Sequence, residues 1–327
     1  MAVLLTAGCG LFGGDSGDNA SSDTTAKAAG PLETDTIKLG VMPVIDCSGS
    51  QIGLLRDLFK EEGLTIKPET IQSGAFAVPK LASGELDISF GNWISFIKAQ
   101  QGGAVPGGLN FIGEGYIATP NSNFALITGP DSGVRSVKDL VGKTIAVNAL
   151  GNINELLIRA VLEANDIDFN SVHLVEMPFP AMAPALQSNQ VAAASLIDPF
   201  VVDAQKKIGA KIVVDLAGKG PTENFPVSGY ATSAKFAKEH PNTIKAFQRA
   251  LLKGQQLSAD RKNVEDALTK YANMDAETAA IVKIGQYPTT IDKKRLQRVS
   301  DLLSTYGMLP AKVDVGPLVV SMPAASS

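Results

Sequence analysis

The chain has 327 residues, 45% hydrophobic and 19% charged, with a formal net charge of −4. This is a globular composition, and the length favours two lobes over a single core. The acidic balance, without a dense Lys/Arg stripe, excludes a nucleic-acid surface. His173 and His240 stand far apart in unrelated contexts, which argues against a His-based metal centre or nucleophilic triad. Neither a metal nor a cofactor is expected.

In chain order, the first feature is the run Leu4-Leu5-Thr6-Ala7-Gly8-Cys9. A short apolar stretch ending in two small residues and a cysteine is what a bacterial lipoprotein signal peptidase requires. Residues 1–9 are therefore expected to be the end of a lipoprotein signal peptide, with Cys9 carrying the lipid. No basic residues precede the apolar run, so a longer leader is expected. Thr6 stands where leucine is usual. Residues 10–35 are rich in Gly, Ser, Thr, Ala and Asp. Such a segment buries too little surface to offset its entropy and is expected to be a disordered tether. With Cys9 lipidated, Cys47 has no partner and no disulfide framework exists. No later apolar run reaches the roughly 20 residues of a spanning helix.

From Thr36 strands and helices alternate. Thr36–Met42 is predicted as a strand, Ile52–Glu62 as an amphipathic helix stopped by Gly63, and Leu64–Ile71 as a strand. Ala77–Ser83 is a short helix and Asp87–Phe90 a third strand. A second series gives strands at Thr144–Val147, Val172–Met177 and Ala192–Ile197, with helices at Asn154–Asn165 and Ala181–Ser188. Repeated βαβ units imply mainly parallel sheets flanked by helices. Beyond Val227 the pattern is helical: Ser233–Glu239, Pro241–Leu257, Val264–Tyr271, Ala276–Lys283 and Lys293–Tyr306. This portion is expected to cover one of the two sheets, and the tail from Val313 to fray.

Three ordered stretches carry a resemblance to the solute-binding proteins of ABC importers, in the nitrate/sulfonate/taurine family that includes pyrimidine-precursor binders. The first runs from Gly63-Leu64 through Ser73-Gly74 and Leu81-Ala-Ser-Gly-Glu-Leu-Asp-Ile88 to Gly91-Asn-Trp93. The second is Val137-Lys-Asp-Leu-Val-Gly-Lys-Thr-Ile-Ala-Val147 with Leu150-Gly151. The third runs from Val175-Glu-Met-Pro-Phe-Pro-Ala-Met182 to Ile197-Asp-Pro-Phe200. The resemblance implies an α/β, two-lobed type II periplasmic-binding-protein-like fold that closes on a small solute and presents it to a permease. It also implies that the chain crosses twice between lobes. Residues 36–126 and 228–327 would form a discontinuous lobe I, and 127–227 lobe II, with hinges near Phe124–Thr128 and Pro226–Thr232.

In open α/β sheets a ligand sits beyond the carboxyl ends of the strands. That rule selects the loops at 43–50, 72–76, 91–94, 148–154, 178–180 and 198–200. The candidate ligand-binding residues are Asp46, Ser73, Gly74, Phe76, Asn92, Trp93, Leu150, Gly151, Asn152, Phe179 and Asp198, with Tyr230 added from the return hinge. Each has a structural alternative. Trp93 could stack on a flat ligand or fill the lobe; Phe76 and Phe179 could be core. Asp46 and Asp198 could be helix caps, Ser73-Gly74 and Gly151-Asn152 simple turns. Cys47 is expected to be shielded. No selected loop contains Arg, so a dianion, which recruits guanidinium forks, is not expected. The ligand is read as neutral, zwitterionic or singly charged: a taurine-like sulfonate, nitrate or an aminopyrimidine.

The function that follows is a lipid-anchored extracytoplasmic binding component of an ABC importer, a monomer without catalytic residues. Its partners would be a small-molecule ligand, permease and ATPase subunits, and the membrane through Cys9, with no nucleic acid. Two alternatives are an enzyme like the pyrimidine synthase of thiamine biosynthesis, and a solute-sensing lipoprotein co-receptor. The first would demand a cysteine-rich iron site and a cleft histidine, which the sequence lacks.

Overall fold

The computed structural model describes residues 30–120, 124–217 and 220–323. The signal-peptide and Cys9 expectations, and the tether through residue 29, lie outside the described residues.

The first lobe runs β1 (Thr36–Val41), α1 (Ser48–Leu55), α2 (Leu58–Glu61), β2 (Thr65–Thr70), α3 (Gly74–Ser83), β3 (Ile88–Asn92), α4 (Trp93–Gln101) and β4 (Leu109–Ala118). The second lobe follows: β5 (Phe124–Thr128), β6 (Thr144–Val147), α5 (Ile153–Glu163), β7 (His173–Glu176), α6 (Phe179–Gln187), β8 (Ala193–Ile197), α7 (Phe200–Ile208) and β9 (Lys211–Asp215). The chain then returns through β10 (Phe225–Ser233) to α8 (Ala234–Glu239), α9 (Pro241–Leu257), α10 (Arg261–Tyr271), α11 (Ala276–Ile281) and α12 (Lys293–Thr305).

Two five-stranded sheets result, ordered β2-β1-β3-β10-β4 and β7-β6-β8-β5-β9. In each, four strands joined by helical crossovers run the same way, and the one strand that enters from the other lobe, β10 or β5, runs antiparallel between two of them. The sheets are therefore mixed but mainly parallel, as expected, with one antiparallel strand each. The cause is the pair of crossings: a strand entering directly from the other lobe has no helix to reverse it. The stretches expected as hinges are themselves sheet members. β5 pairs with β8 and β9, and β10 with β3 and β4. The chain passes between lobes just ahead of them.

The central strands β3, β5 and β8 are buried along their whole length, as strands covered on both faces must be. The C-terminal helices pack on the first sheet's side, α9 against α1, α2 and β4, and α12 against α4 and β10. The expected single helix over 52–62 is two, because Asp57 takes a left-handed conformation (φ 57°) between α1 and α2. Close packing fixes α1 on α9: a Cβ on Gly254 would lie 2.1 Å from the Gly49 carbonyl oxygen.

Both chain ends of the described body are more ordered than the composition suggests. The tether expectation fails for residues 31–35. Leu32 packs on the core, and the Glu33 carboxylate accepts the Asn242 and Thr243 N–H groups (3.1 and 2.9 Å) at the start of α9. Desolvation works against the charge on Glu33, but those donors outweigh it and hold its pKa down at about 2. The stabilisation is present above the ordinary carboxylate range and is lost as pH falls towards 2. Glu33→Gln is thus expected to melt below wild type at neutral pH, and the two melting curves, followed by circular dichroism, should converge near pH 2. The tail also docks rather than frays: Val320 N–H donates to the Phe111 carbonyl (2.9 Å), and Val315 is fully buried.

Candidate functional site

The carboxyl ends of β1, β3, β6 and β8 face one another across the lobes, and a cavity of about 30 Å³ lies between them. Lobe I contributes Met42, Val44, Asp46, Phe90 and Asn92; lobe II contributes Phe124, Asn148, Ile153, Asn154, Phe179 and Ile197. Their positions follow from the local folds. Residues 45–47 form a one-turn helix leading into α1, which holds Asp46 at the top of β1. Asn92 ends β3 and caps α4, its Oδ1 accepting the Ser95 N–H at 2.9 Å. Asn152 caps α5 by accepting the Asn154 N–H at 3.0 Å. These caps use residues whose short side chains satisfy the free N–H groups of a first turn.

The polar wall on the lobe II side is a small amide network. Asn148 Oδ1 accepts Nδ2 of both Asn152 (2.7 Å) and Asn154 (2.6 Å). Ser195 Oγ donates to Asn154 Oδ1 at 3.1 Å. Such mutual bonding fixes the orientation of each amide.

Several hydrogen bonds join the lobes around the cavity. Ile45 N–H donates to the Asp198 carbonyl at 3.0 Å. Gln72 Nε2 donates to the Asn148 carbonyl at 3.1 Å, and Lys98 Nζ to the Gly151 carbonyl at 3.1 Å. This is therefore a closed arrangement. Admission of any solute requires the lobes to part, because the cavity holds about the volume of one water molecule.

Two carboxyls dominate the electrostatics. Burial pushes Asp46 up to about 7, the Ser228 hydroxyl and its own N–H offsetting only part of this. Asp46 Oδ1 is sealed from solvent without a hydrogen-bond donor. Burial also raises Asp198, to about 6, against the Lys283 and Val202 N–H groups and the Lys283 charge. Asp198 Oδ2 accepts Lys283 N–H at 3.0 Å and its Oδ1 accepts Val202 N–H at 3.3 Å. Asp198 thus ties lobe II to the segment after α11 and caps α7.

Of the sequence-predicted residues, the cavity wall gathers Asp46, Asn92 and Phe179. Asn152 and Asp198 stand just behind it, as network and tie. Gly151 (φ 66°) presents its carbonyl to Lys98. Ser73 and Gly74 start α3 against β3, where a Cβ on Gly74 would lie 3.1 Å from Gly91 Cα. Phe76 and Leu150 are exposed, outside the cavity wall.

Trp93 and Tyr230 are not in the cleft. Trp93 is fully buried in lobe I, 5.0 Å from the Phe111 ring centroid and 6.3 Å from that of Phe96. The first residue of α4 turns its side chain under the sheet, against Gly229, rather than out past the strand end. Tyr230 is likewise fully buried, edge-on to Phe90 and Phe247. Sequence reasoning missed Phe90 and Phe124, the aromatic part of the wall; both sit inside strands, where nothing marks an aromatic as cleft-facing. Asn148 and Asn154 were within a selected loop, and their recurrence with Asn152 was the available signal.

Larger recesses exist among the described residues. One of about 460 Å³ adjoins the cavity at Phe179 and runs between α6, α7 and residues 272–278. Another, of about 640 Å³, lies on lobe I beside Ile284–Thr290. Its arginines are already engaged, Arg261 by Glu265 and Arg295 by Glu114. No group of His, Cys, Asp and Glu among the described residues could hold a metal ion, and no described helix is long and apolar enough to cross a membrane.

Comparison with known proteins agrees with this geometry. A Bacillus subtilis (strain 168) protein named as aliphatic sulfonates-binding is 25% identical over 83% of this chain and 75% of its own length. The taurine-binding periplasmic protein of Escherichia coli (strain K12) is 28% identical over 60% of this chain and 58% of its own. The structure of the alkanesulfonate-binding protein from Xanthomonas axonopodis pv. citri, bound to MOPS, superposes with a TM-score of 0.74 at 18% identity. It covers 88% of this chain and 98% of that one. The fold is thus the two-lobed one of periplasmic binding proteins. The family profile described as NMT1/THI5 like matches residues 52–263, and the chain belongs to that family.

Proposed function

We propose that this chain is the solute-capturing component of an ABC importer, held outside the membrane by a lipid on Cys9 and delivering a small organic solute to a permease. The observation that supports it most is the cavity between the carboxyl ends of both lobes' strands, with hydrogen bonds joining the lobes around it. A solute touching both lobes shifts the population towards the closed form by its differential affinity. The relatives' names point to sulfonates and taurine as ligand classes to try first. The protein is proposed to act as a monomer without a chemical step of its own. Lobe I is proposed as 36–126 with 228–327, and lobe II as 127–227.

The test is a thermal-shift screen over sulfonates, nitrate, pyrimidines and small amines, since a ligand that binds only the folded form raises its melting point. X-ray scattering should show the lobes approaching on addition of a hit. A screen in which no solute moves either readout would overturn the reading. For the anchor, Cys9→Ala expressed in bacteria is expected to lose label from an alkyne fatty acid and to leave the membrane fraction. Unchanged labelling would place the lipid elsewhere.

A further inference from the structure

The only charged side chain in the cavity wall is acidic. Met42, Val44, Phe90, Phe124, Ile153, Phe179 and Ile197 are apolar; Asn92, Asn148 and Asn154 are neutral; the remaining residue is Asp46. Among the described residues, no Lys, Arg or His belongs to it. The amide oxygens are committed to one another's N–H groups, to the Ser195 hydroxyl and to the α4 cap. Asp46 Oδ1, by contrast, is 4% exposed as a residue, has no donor, and borders the cavity. The Ser228 hydroxyl beside it offsets only part of the effect of burial. A bare anion entering here would meet a like charge in an apolar enclosure with no cation to offset it.

Three phenylalanines, Phe90, Phe124 and Phe179, share the same wall. Aromatic faces carry negative charge density and attract a cation. Carboxylate and rings therefore ask for the same thing.

We propose that the solute carries a cationic nitrogen, an ammonium or a methylated ammonium, which meets the Asp46 carboxylate among these rings and thereby makes lobe closure favourable. This rests on the solute-capture reading and names the charge class that the same site takes. The cavity of about 30 Å³ has room for an ammonium group alone, so a methylated one would hold the lobes further apart; the groove beyond Phe179 offers space for the rest of the molecule.

The ligand-free protein carries a consequence. Closing on nothing buries Asp46, so the carboxyl must take up a proton or be desolvated as an ion; its pKa in the closed form is about 7. The groups facing it are Cys47 from its own turn, Tyr116 of β4, Tyr230 of β10, Tyr271 of α10 and Tyr287 before α12. All are neutral near pH 7, and burial raises each. Asp198 is the other carboxyl near Tyr116. A carboxyl whose pKa is raised on closing favours the closed form below its ordinary range, and that contribution fades as pH rises towards 7. Unliganded closure is therefore opposed at neutral pH, and a cation removes the opposition.

Calorimetry with matched probes tests this. Choline against 3,3-dimethylbutanol, and taurine against isethionate, differ in the presence of the cationic nitrogen. The cationic member of at least one pair should bind more tightly by about tenfold or more, and Asp46→Asn should abolish that preference. In the wild-type protein alone, affinity for the cation should rise from pH 5 to pH 7, and scattering should show the unliganded lobes opening over the same range. Preference for isethionate, nitrate or the neutral alcohol would overturn the cation assignment while leaving solute capture standing. The same holds if Asp46→Asn retains full preference for the cation. Silence from every probe in both calorimetry and scattering would overturn both.

Discussion

Trp93→Ala is expected to lower the unfolding free energy by about 3–5 kcal/mol, the range for deleting a large aromatic from a packed core. It should leave the solute dissociation constant unchanged. The ring is fully buried between Phe96, Phe111 and the backbone of β10. A Cβ on Gly229 would lie 2.0 Å from it, so glycine is the residue that lets the indole reach this position. Truncation would empty the space beneath β10, a strand that pairs with both β3 and β4. Urea denaturation and calorimetry on the same variant separate the two roles: a normal midpoint with weakened binding would return Trp93 to the cleft. Gly229→Ala should destabilise for the opposite reason, by forcing the indole or strand to move.

That contrast shows where the sequence was readable. Alternation and helical periodicity located β1, β6, α5 and, residue for residue, α9, because each presents one regular apolar stripe to a core. The carboxyl-end rule then picked the loops that carry Asp46, Asn92, Asn148 and Phe179. What it could not do was orient a side chain. Trp93 and Asn92 are neighbours at the end of β3, yet one turns under the sheet and the other borders the cavity. Only the helix that begins between them decides which. Nor was β4 visible. Its Gly113-Glu114-Gly115 interrupts any alternation, and its pairing with β10 is irregular, with register shifts along the ladder. A glutamate in a central position reads as a loop until its partner, nearly two hundred residues away, is known.

That partner is Arg295, and the pair is where the second large effect is expected. Arg295 Nε and a terminal guanidinium nitrogen contact the two Glu114 carboxylate oxygens at 2.9 and 2.8 Å, and Asp292 N–H donates to Oε1 at 2.6 Å. The Glu114 side chain is fully buried, whereas that of Arg295 is one-quarter exposed. Burial raises the Glu114 pKa even with the guanidinium, the Asp292 N–H and the charge of Arg295 opposing it. Arg295→Leu would leave the carboxylate with one backbone donor, and removing one partner of a buried pair costs about 3–5 kcal/mol. The sign of the pH dependence follows. Without the guanidinium the folded-state pKa rises further above its unfolded value, so stability is retained at low pH and lost as pH rises through the folded value. The deficit of Arg295→Leu relative to wild type should therefore be large at pH 8 and small at pH 4. Adding Glu114→Gln to Arg295→Leu should recover part of the loss at pH 8, because no charge then remains to be buried. A deficit that is the same at both pH values, by chemical denaturation, would mean that the guanidinium acts through packing on β4 and not by neutralising Glu114.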